Sequence, residues 1–516
     1  MISKFAEKNE GLVKRFFEIS LGLSTWTLLT SPIWLGLFFP PAIVYLLAFF
    51  TVYWFYLSLK HSIGLFFAFR RYKAEIKVDW LAKCNALDFT KLPEKKTLPP
   101  SLKDVRHFIL IPMVNEPKEV VKASIEGIIN QTFPSTQVTL IYTMEEKYSE
   151  EMKQRLEEEV KPYKHKLHKF MYFVHPAGIV GEAVGVAGAN RTWGAKHAIA
   201  QLIKDGENLR NYIFSTIDAD HVLYPQYIAR LTELYLTSDN RDYHYYSTAV
   251  HLFNNNLWDV PTMMRIEANA ITLGSLSSWG NHKTHTTEAS FSSYSSSLQT
   301  LIDADYWDVQ LGVDDTIFYW RAFFARNGNF DGIPHFIPYS ADAVQGSTYW
   351  GSYKSLYKQL VRWGWGAIDF PLSMGEFLKN KHISLQKKVT WFLKHIERRI
   401  ILINIVFLIT FGFGIVTLVN PDVKQTTFAY SLPDVMSYIL TIALVFLVPA
   451  TYYRFQLASP MPKKWPLWRK FLGLMEGPLV ILNMLTFSFF PFIEAQTRLM
   501  LGKRMKDLYH TPKVRS

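Results

Sequence analysis

Asp218 and Asp220 flank a single alanine at the end of an apolar run, in the stretch IFSTIDADH over residues 213–221, with His221 directly after them. On extended backbone, side chains at i and i+2 point to the same face. Two carboxylates held that close push one pKa upward unless a cation removes the conflict. Mg2+ or Mn2+ does so, because such hard ions are bound by one or two carboxylates together with substrate phosphates. The pair is therefore read as a grip on a metal-bound nucleotide diphosphate, whose departing charge the ion neutralises. A second acidic pair, Asp314 and Asp315, stands in LGVDDTIF (311–318), just before an apolar run of helical character. A third set follows in QLVRW (359–363), where Gln359, Arg362 and Trp363 share one face of a helix. A guanidinium can clamp phosphate, and an indole can stack on a sugar ring. Taken singly, an Asp-x-Asp suits a solvated loop equally well, and the QLVRW segment suits an interfacial helix with a snorkelling arginine.

Something must carry these groups to one place. RHFILIP (106–112), VTLIYT (138–143), MYFVH (171–175) and NYIFSTI (211–217) read as short buried strands. Helical patterns alternate with them: 116–131, with Pro117 in its first turn and Val120, Val121, Ile125 and Ile128 on one face, then 149–169, then roughly 190–204. Strand–helix alternation predicts a mostly parallel sheet covered on both faces. Ligands in such sheets sit outside the carboxyl ends of the strands. The polar ends PMVNEP (112–117), TMEE (143–146) and IDADH (217–221) are expected to line one crevice.

The 516 residues exceed one ordinary domain, and the apolar half of the composition is unevenly spread. Residues 22–69 are long enough for two membrane spans of ~17–25 residues, turning at Pro40-Pro41. Further apolar runs lie at 400–419, 435–453 and about 471–492. Basic flanks place the large middle region on the cytoplasmic side: Lys14 and Arg15 before the first span, Arg70 and Arg71 after the second, Arg398 and Arg399 before the third. The last run carries Glu476, Pro478 and Pro491 and precedes a basic tail, so a re-entrant or interfacial segment is expected. The formal charge of +12 then reflects contact with anionic membrane lipids; no nucleic-acid motif stands out. The lone Cys84 excludes an intrachain disulfide and any CxxC metal site.

The ordered set now has a family likeness. Asn115-Glu116 after the first strand, Glu145-Glu146 after the second, Asp-x-Asp after a later one, then an acidic pair and QxxRW between apolar spans: this resembles the family 2 glycosyltransferases of the GT-A fold, the group of the cellulose, chitin and hyaluronan synthases. The resemblance covers roughly 106–370. It implies a Rossmann-like α/β GT-A domain, mostly parallel in its sheet, cytosolic and inserted between transmembrane helices of the plasma (cell inner) membrane. The organisation it implies is a cytosolic segment 1–21, a transmembrane hairpin 22–69, a linker 70–105 and a GT-A domain 106–350. QxxRW and interfacial helices (351–397), a transmembrane pair (398–453) and a basic, membrane or re-entrant tail (454–516) complete it.

By the same resemblance, Asp315 is the catalytic base and Asp314 its acidic neighbour. Asn115, Glu116, Glu145, Glu146, Asp218, Gln359 and Arg362 would bind the nucleotide-sugar. Asp218 and Asp220 would hold Mg2+ or Mn2+, and Trp363 and Tyr294 would bind the acceptor. Two departures stand out. Val186 occupies a place where related proteins often carry a lysine, so that a phosphate or base contact is either missing or replaced by Arg191 or Lys196; VDDT replaces the family's Thr-Glu-Asp. The partners implied are a nucleotide-diphosphate sugar, UDP-linked by preference, and a carbohydrate or lipid acceptor; an accessory subunit is left open. The leading expectation is inverting transfer to a growing β-linked polysaccharide. The alternatives are synthesis of a membrane glycolipid and a non-catalytic sugar-nucleotide-binding subunit.

Overall fold

The computed structural model describes residues 2–183, 185–281, 292–425, 427–503 and 511. Two compact units emerge from the chain. One comprises residues 67–260 and 278–352; the other comprises the described residues of 1–66, 261–277 and 353–503.

The first unit is α/β. Among the described residues its ten strands are β1 (Arg106–Met113), β2 (Val138–Glu145), β3 (Lys169–His175), β4 (Tyr212–Thr216), β5 (Val222–Leu223), β6 (His244–Thr248), β7 (His251–Leu252), β8 (Tyr294–Ser297), β9 (Asp331–His335) and β10 (Tyr339–Ser340). Seven form one sheet in the order β3-β2-β1-β4-β8-β6-β9, and β5-β10-β7 form a small second sheet. β3, β2, β1 and β4 run parallel, β8 is antiparallel to both its neighbours, and β6 pairs parallel with β9. The result is a mixed sheet with a parallel half. All eight residues of β2 except the last are buried, as a strand covered on both faces requires.

The helices that matter for the site are α1 (Lys118–Ile129), α2 (Ser149–Val160), α3 (Ala187–Lys204), α4 (Tyr227–Thr237) and α5 (Asp314–Ala325). Val120, Val121, Ile125 and Ile128 of α1 are buried together, on the face that the spacing predicts. The chain order reverses beside β1, with β2 on one side and β4 on the other. Such a switch point opens a crevice at the carboxyl ends of the strands.

The stretch 70–105, expected as a linker, packs into this unit. Trp80 and Cys84 are buried, and Arg241 donates to Pro93 O at 2.6 Å and to Thr97 Oγ1 at 2.9 Å. Its prolines and lysines set a loop path, while the aromatic and the thiol between them supply the apolar surface that docks it.

The second unit is helical. Among the described residues, three helices are long and apolar enough to cross a membrane: Pro40–Glu75, Leu385–Val419 and Ala429–Leu457. Two bent pairs, Glu10–Leu29 with Ser31–Phe38 and Leu467–Met475 with Val480–Met500, raise the number to five if each counts as one span. The first long helix starts at Pro40, where a missing N–H costs nothing. The last pair is bent by 55° where the sequence carries Glu476, Gly477 and Pro478. Glu476 is 1 % exposed, yet it is paired: Arg265 Nε donates to it at 2.8 Å and Arg454 Nη2 at 2.5 Å. Two guanidiniums on one carboxylate explain how a charge sits inside an apolar stretch. Arg504 and Lys506 of the basic tail lie outside the described residues.

Candidate active site

The centre of the crevice is built from three anchors on α3. Asn190 fastens the start of this helix to the strand ends, its Nδ2 reaching Met113 O and Thr143 O at 3.3 Å each, while Thr143 Oγ1 donates to Asn190 O at 2.9 Å. Thr192 Oγ1 meets the backbone of Trp307. Between them stands Arg191, 3 % exposed. Gly188 allows the approach: a Cβ there would lie 2.3 Å from Asp308 O and 3.0 Å from Asp314 Cβ.

Arg191 is the hub of an acidic cluster. Its Nη2 donates to Asp218 Oδ1 at 2.7 Å, and its Nη1 pairs with Asp314 and, at 3.2 Å, with Asp315 Oδ1. A planar guanidinium can serve acids in several directions at once, which an ammonium does less well. Asp218 follows β4, where Ile217 N still donates to Leu110 O of β1. The acids Asp314 and Asp315 open α5, where a helix N-terminus favours negative charge.

Two serines close the ring. Ser292 Oγ donates to Asp218 Oδ2 at 2.9 Å, and Ser292 N donates to Asp315 Oδ2 at 3.2 Å. Asp218 N donates to Ser293 Oγ at 3.1 Å. Both serines have left-handed backbone, with φ of 36° and 42°. Non-glycine residues adopt that conformation at a cost. His221 belongs to the same arrangement. It is buried, sits 2.6 Å from Ser293 Oγ through Nδ1, and stacks on Tyr339 at 4.1 Å.

The charges divide the two key carboxylates. Burial raises the Asp315 carboxyl to about 7; Arg191 pulls the other way, and Asp314 and Asp218 push upward again. Asp218 lies below the ordinary carboxylate value: burial opposes ionisation, but His221 and Arg191 outweigh it. The two neighbouring carboxyls are thus shifted in opposite directions by their surroundings.

The other expected residues separate into groups. Asp220 is buried, and its Oδ2 accepts from Asp342 N at 3.0 Å. Glu145 Oε2 meets His175 Nδ1 at 3.1 Å, and His175 Nε2 meets Glu182 Oε2 at 2.7 Å. Burial lowers the His175 imidazole, and these two carboxylates more than offset it, so its pKa lies above the usual histidine value. Glu146 Oε2 accepts from Ala177 N at 2.8 Å. Asn115 turns to α2, where Arg155 Nη1 donates to its Oδ1 at 3.2 Å, and Glu116 Oε2 accepts from Val114 N at 2.7 Å. Tyr294 is 1 % exposed and accepts from Trp307 Nε1 at 2.7 Å, which makes it a core residue. Val186 is buried as well, and Lys196 lies over the Tyr306 ring at 5.1 Å. Gln359, Arg362 and Trp363 fall on the helix Tyr349–Gly364, in the part of it that belongs to the helical unit.

Sequence reasoning named Arg191 only as a substitute for a missing phosphate or base contact. Its pairing with three aspartates carried no local signal.

Asp218, Asp314 and Asp315 oppose the buried guanidinium of Arg191, which leaves negative charge in excess. Among the described residues, no group of three or more His, Cys, Asp or Glu side chains forms a ready cage. The set therefore suits the mode in which one or two carboxylates share an ion with substrate phosphates. Carboxylate oxygens that already accept one hydrogen bond keep lone pairs for such a role.

No family model matches the chain, and no curated protein matches its sequence. Among solved structures it is similar to the mannosyltransferase PcManGT from Pyrobaculum calidifontis, in complex with GDP-Man and Mn2+. That match has 11 % identity and a TM-score of 0.41, and covers 87 % of this chain and 99 % of the other. It is also similar to S. aureus TarS, with 12 % identity and a TM-score of 0.29, over 63 % of this chain and 55 % of that one.

Proposed function

We propose that this chain is an inverting, membrane-inserted glycosyltransferase that moves a sugar from a nucleotide-diphosphate sugar, UDP-linked by preference, onto a growing β-linked polysaccharide. One observation carries the reading. Asp218, from the end of a central strand, and Asp315, from the first turn of α5, meet on one buried guanidinium at the crevice of the α/β unit.

In this reading Asp315 is the general base. It keeps access to the crevice, with its side chain 22 % exposed. The acceptor hydroxyl gives its proton to Asp315 as its oxygen bonds to the anomeric carbon. The bond from that carbon to the diphosphate oxygen breaks, so an α-linked donor yields a β-linked product. A positioned carboxylate base contributes ~10²–10⁴-fold to such a step. Asp314 steadies the base through their shared Arg191. Asp218 and Asp220 would hold Mg2+ or Mn2+, which when bound neutralises charge on the departing diphosphate. Asn115, Glu116, Glu145 and Glu146 would line the nucleotide side.

A panel of UDP- and GDP-sugars, assayed for nucleotide release by the full chain with and without Mn2+, tests this function. Metal-dependent release with a high-molecular-weight product supports it. A chloroform-soluble product assigns the chain to glycolipid synthesis instead, and no turnover of any donor leaves only a binding subunit.

A further inference from the structure

Arg191 has a role beyond the fold. Its side chain is fixed at both ends. The backbone on either side is anchored by Asn190 to β1 and β2 and by Thr192 to Trp307, and the guanidinium is taken up by three carboxylates. At 3 % exposure it is not free to swing toward a diphosphate. This separates it from the phosphate ligand that its place near Val186 suggests. The three acids come from two elements that share no local geometry: Asp218 from the end of β4, Asp314 and Asp315 from the start of α5. Ser292 links the same two elements a second time, by Oγ to Asp218 and by N–H to Asp315.

We propose that Arg191 is the positioning residue of this site: its guanidinium ties the donor-side Asp218 to Asp314 and Asp315, and so aims the base while touching neither substrate. The inference rests on the glycosyl-transfer reading. Two consequences follow from the geometry. Removing Arg191 harms the chemical step more than donor binding, because what it holds is the angle and distance of Asp315 to the reacting hydroxyl. Its effect also disappears once Asp315 can no longer take a proton, because Arg191 acts through that residue.

The test uses the full chain in lipid nanodiscs and the sugar nucleotide that the panel identifies, with UDP or GDP plus Mn2+ as the calorimetric probe of binding. Arg191→Gln is expected to lower kcat by about 10²-fold or more while KM and the nucleotide Kd stay within about threefold. Arg191→Lys keeps the charge without the planar fork and is expected to regain at least about tenfold of that loss. In an Asp315→Asn background, Arg191→Gln is expected to cost nothing further. Thermal melting checks that each variant is folded; should Arg191→Gln fail to fold, the same cycle is run with Arg191→Lys.

A tenfold rise in nucleotide Kd with kcat retained overturns the proposal in favour of a phosphate-binding arginine. Losses that multiply in the double variant overturn it as well, as does an Arg191→Gln chain with unaltered kinetics. An Asp315→Asn chain that turns over normally has a different meaning: it removes the base assignment itself, and with it the reading on which the inference rests.

Discussion

Arg191 Nη2 lies 2.7 Å from Asp218 Oδ1, although the two residues stand 27 positions apart and on different elements. The same guanidinium reaches Asp315, 124 positions further along the chain. An acidic motif read from sequence as a grip for a metal is thus already engaged with a cation of the protein's own. The excess of carboxylate over guanidinium leaves room for a second, exchangeable one.

Asp315→Asn removes the proposed proton acceptor and keeps the shape. Turnover is expected to fall by ~10²–10⁴-fold with nucleotide affinity unchanged. Steady-state kinetics beside calorimetric titration of UDP or GDP separate the two quantities. A parallel loss of binding would assign Asp315 to the donor instead.

Turnover is expected to climb as pH rises through about 7. The base works only when ionised, and burial lifts Asp315 to that value, with Arg191 holding it from rising further. Below about 6 most of the chain carries a protonated, inactive Asp315. A profile of kcat against pH that is flat from 5 to 8 would contradict the assignment.

Chelation is expected to stop nucleotide release, and added Mn2+ to restore it, because the carboxylates around Arg191 leave charge for a divalent ion to balance. Asp220→Asn is expected to raise the Mn2+ concentration needed for half-maximal rate by tenfold or more. An unchanged Mn2+ requirement in that variant would move the metal away from Asp220.

Gly188→Ala tests the packing that delivers Arg191. The new methyl would meet Asp308 O at 2.3 Å, a backbone atom that cannot turn aside. Overpacking of this kind costs ~1–3 kcal/mol, and the melting temperature is expected to fall. Activity is expected to fall with it, because α3 must shift by a fraction of an ångström and Arg191 moves with the helix. A variant as stable and active as the parent would show that the helix start is not held there.

Much of the scaffold was legible in the residues. β1, β2, β3 and β4 fall on the four apolar runs, and α1 buries the face set by its spacing, because strand burial and helical periodicity are local patterns. The polar ends of those strands were expected to gather, and Asp218 lies at one of them. The antiparallel β8 was not legible, since its YSSS sequence carries no apolar run, and its Ser295 Oγ meets Ser215 Oγ of β4 at 2.7 Å. Tyr294 was expected to meet the acceptor, yet it lies in that strand with its hydroxyl on Trp307. An aromatic with a polar tip reads the same in sequence whether its partner is a ligand or an indole.

By itself, then, the sequence determined the apolar helices, the parallel half of the sheet and the types of residue at the crevice, all of which follow from side-chain chemistry at short range. Only the tertiary structure decided which charges neutralise which. Arg191 with its three aspartates, and Glu476 with Arg265 and Arg454, are pairings between distant parts of the chain. An ion pair is set by distance in space and by the water excluded around it, and neither quantity is written in the spacing of residues.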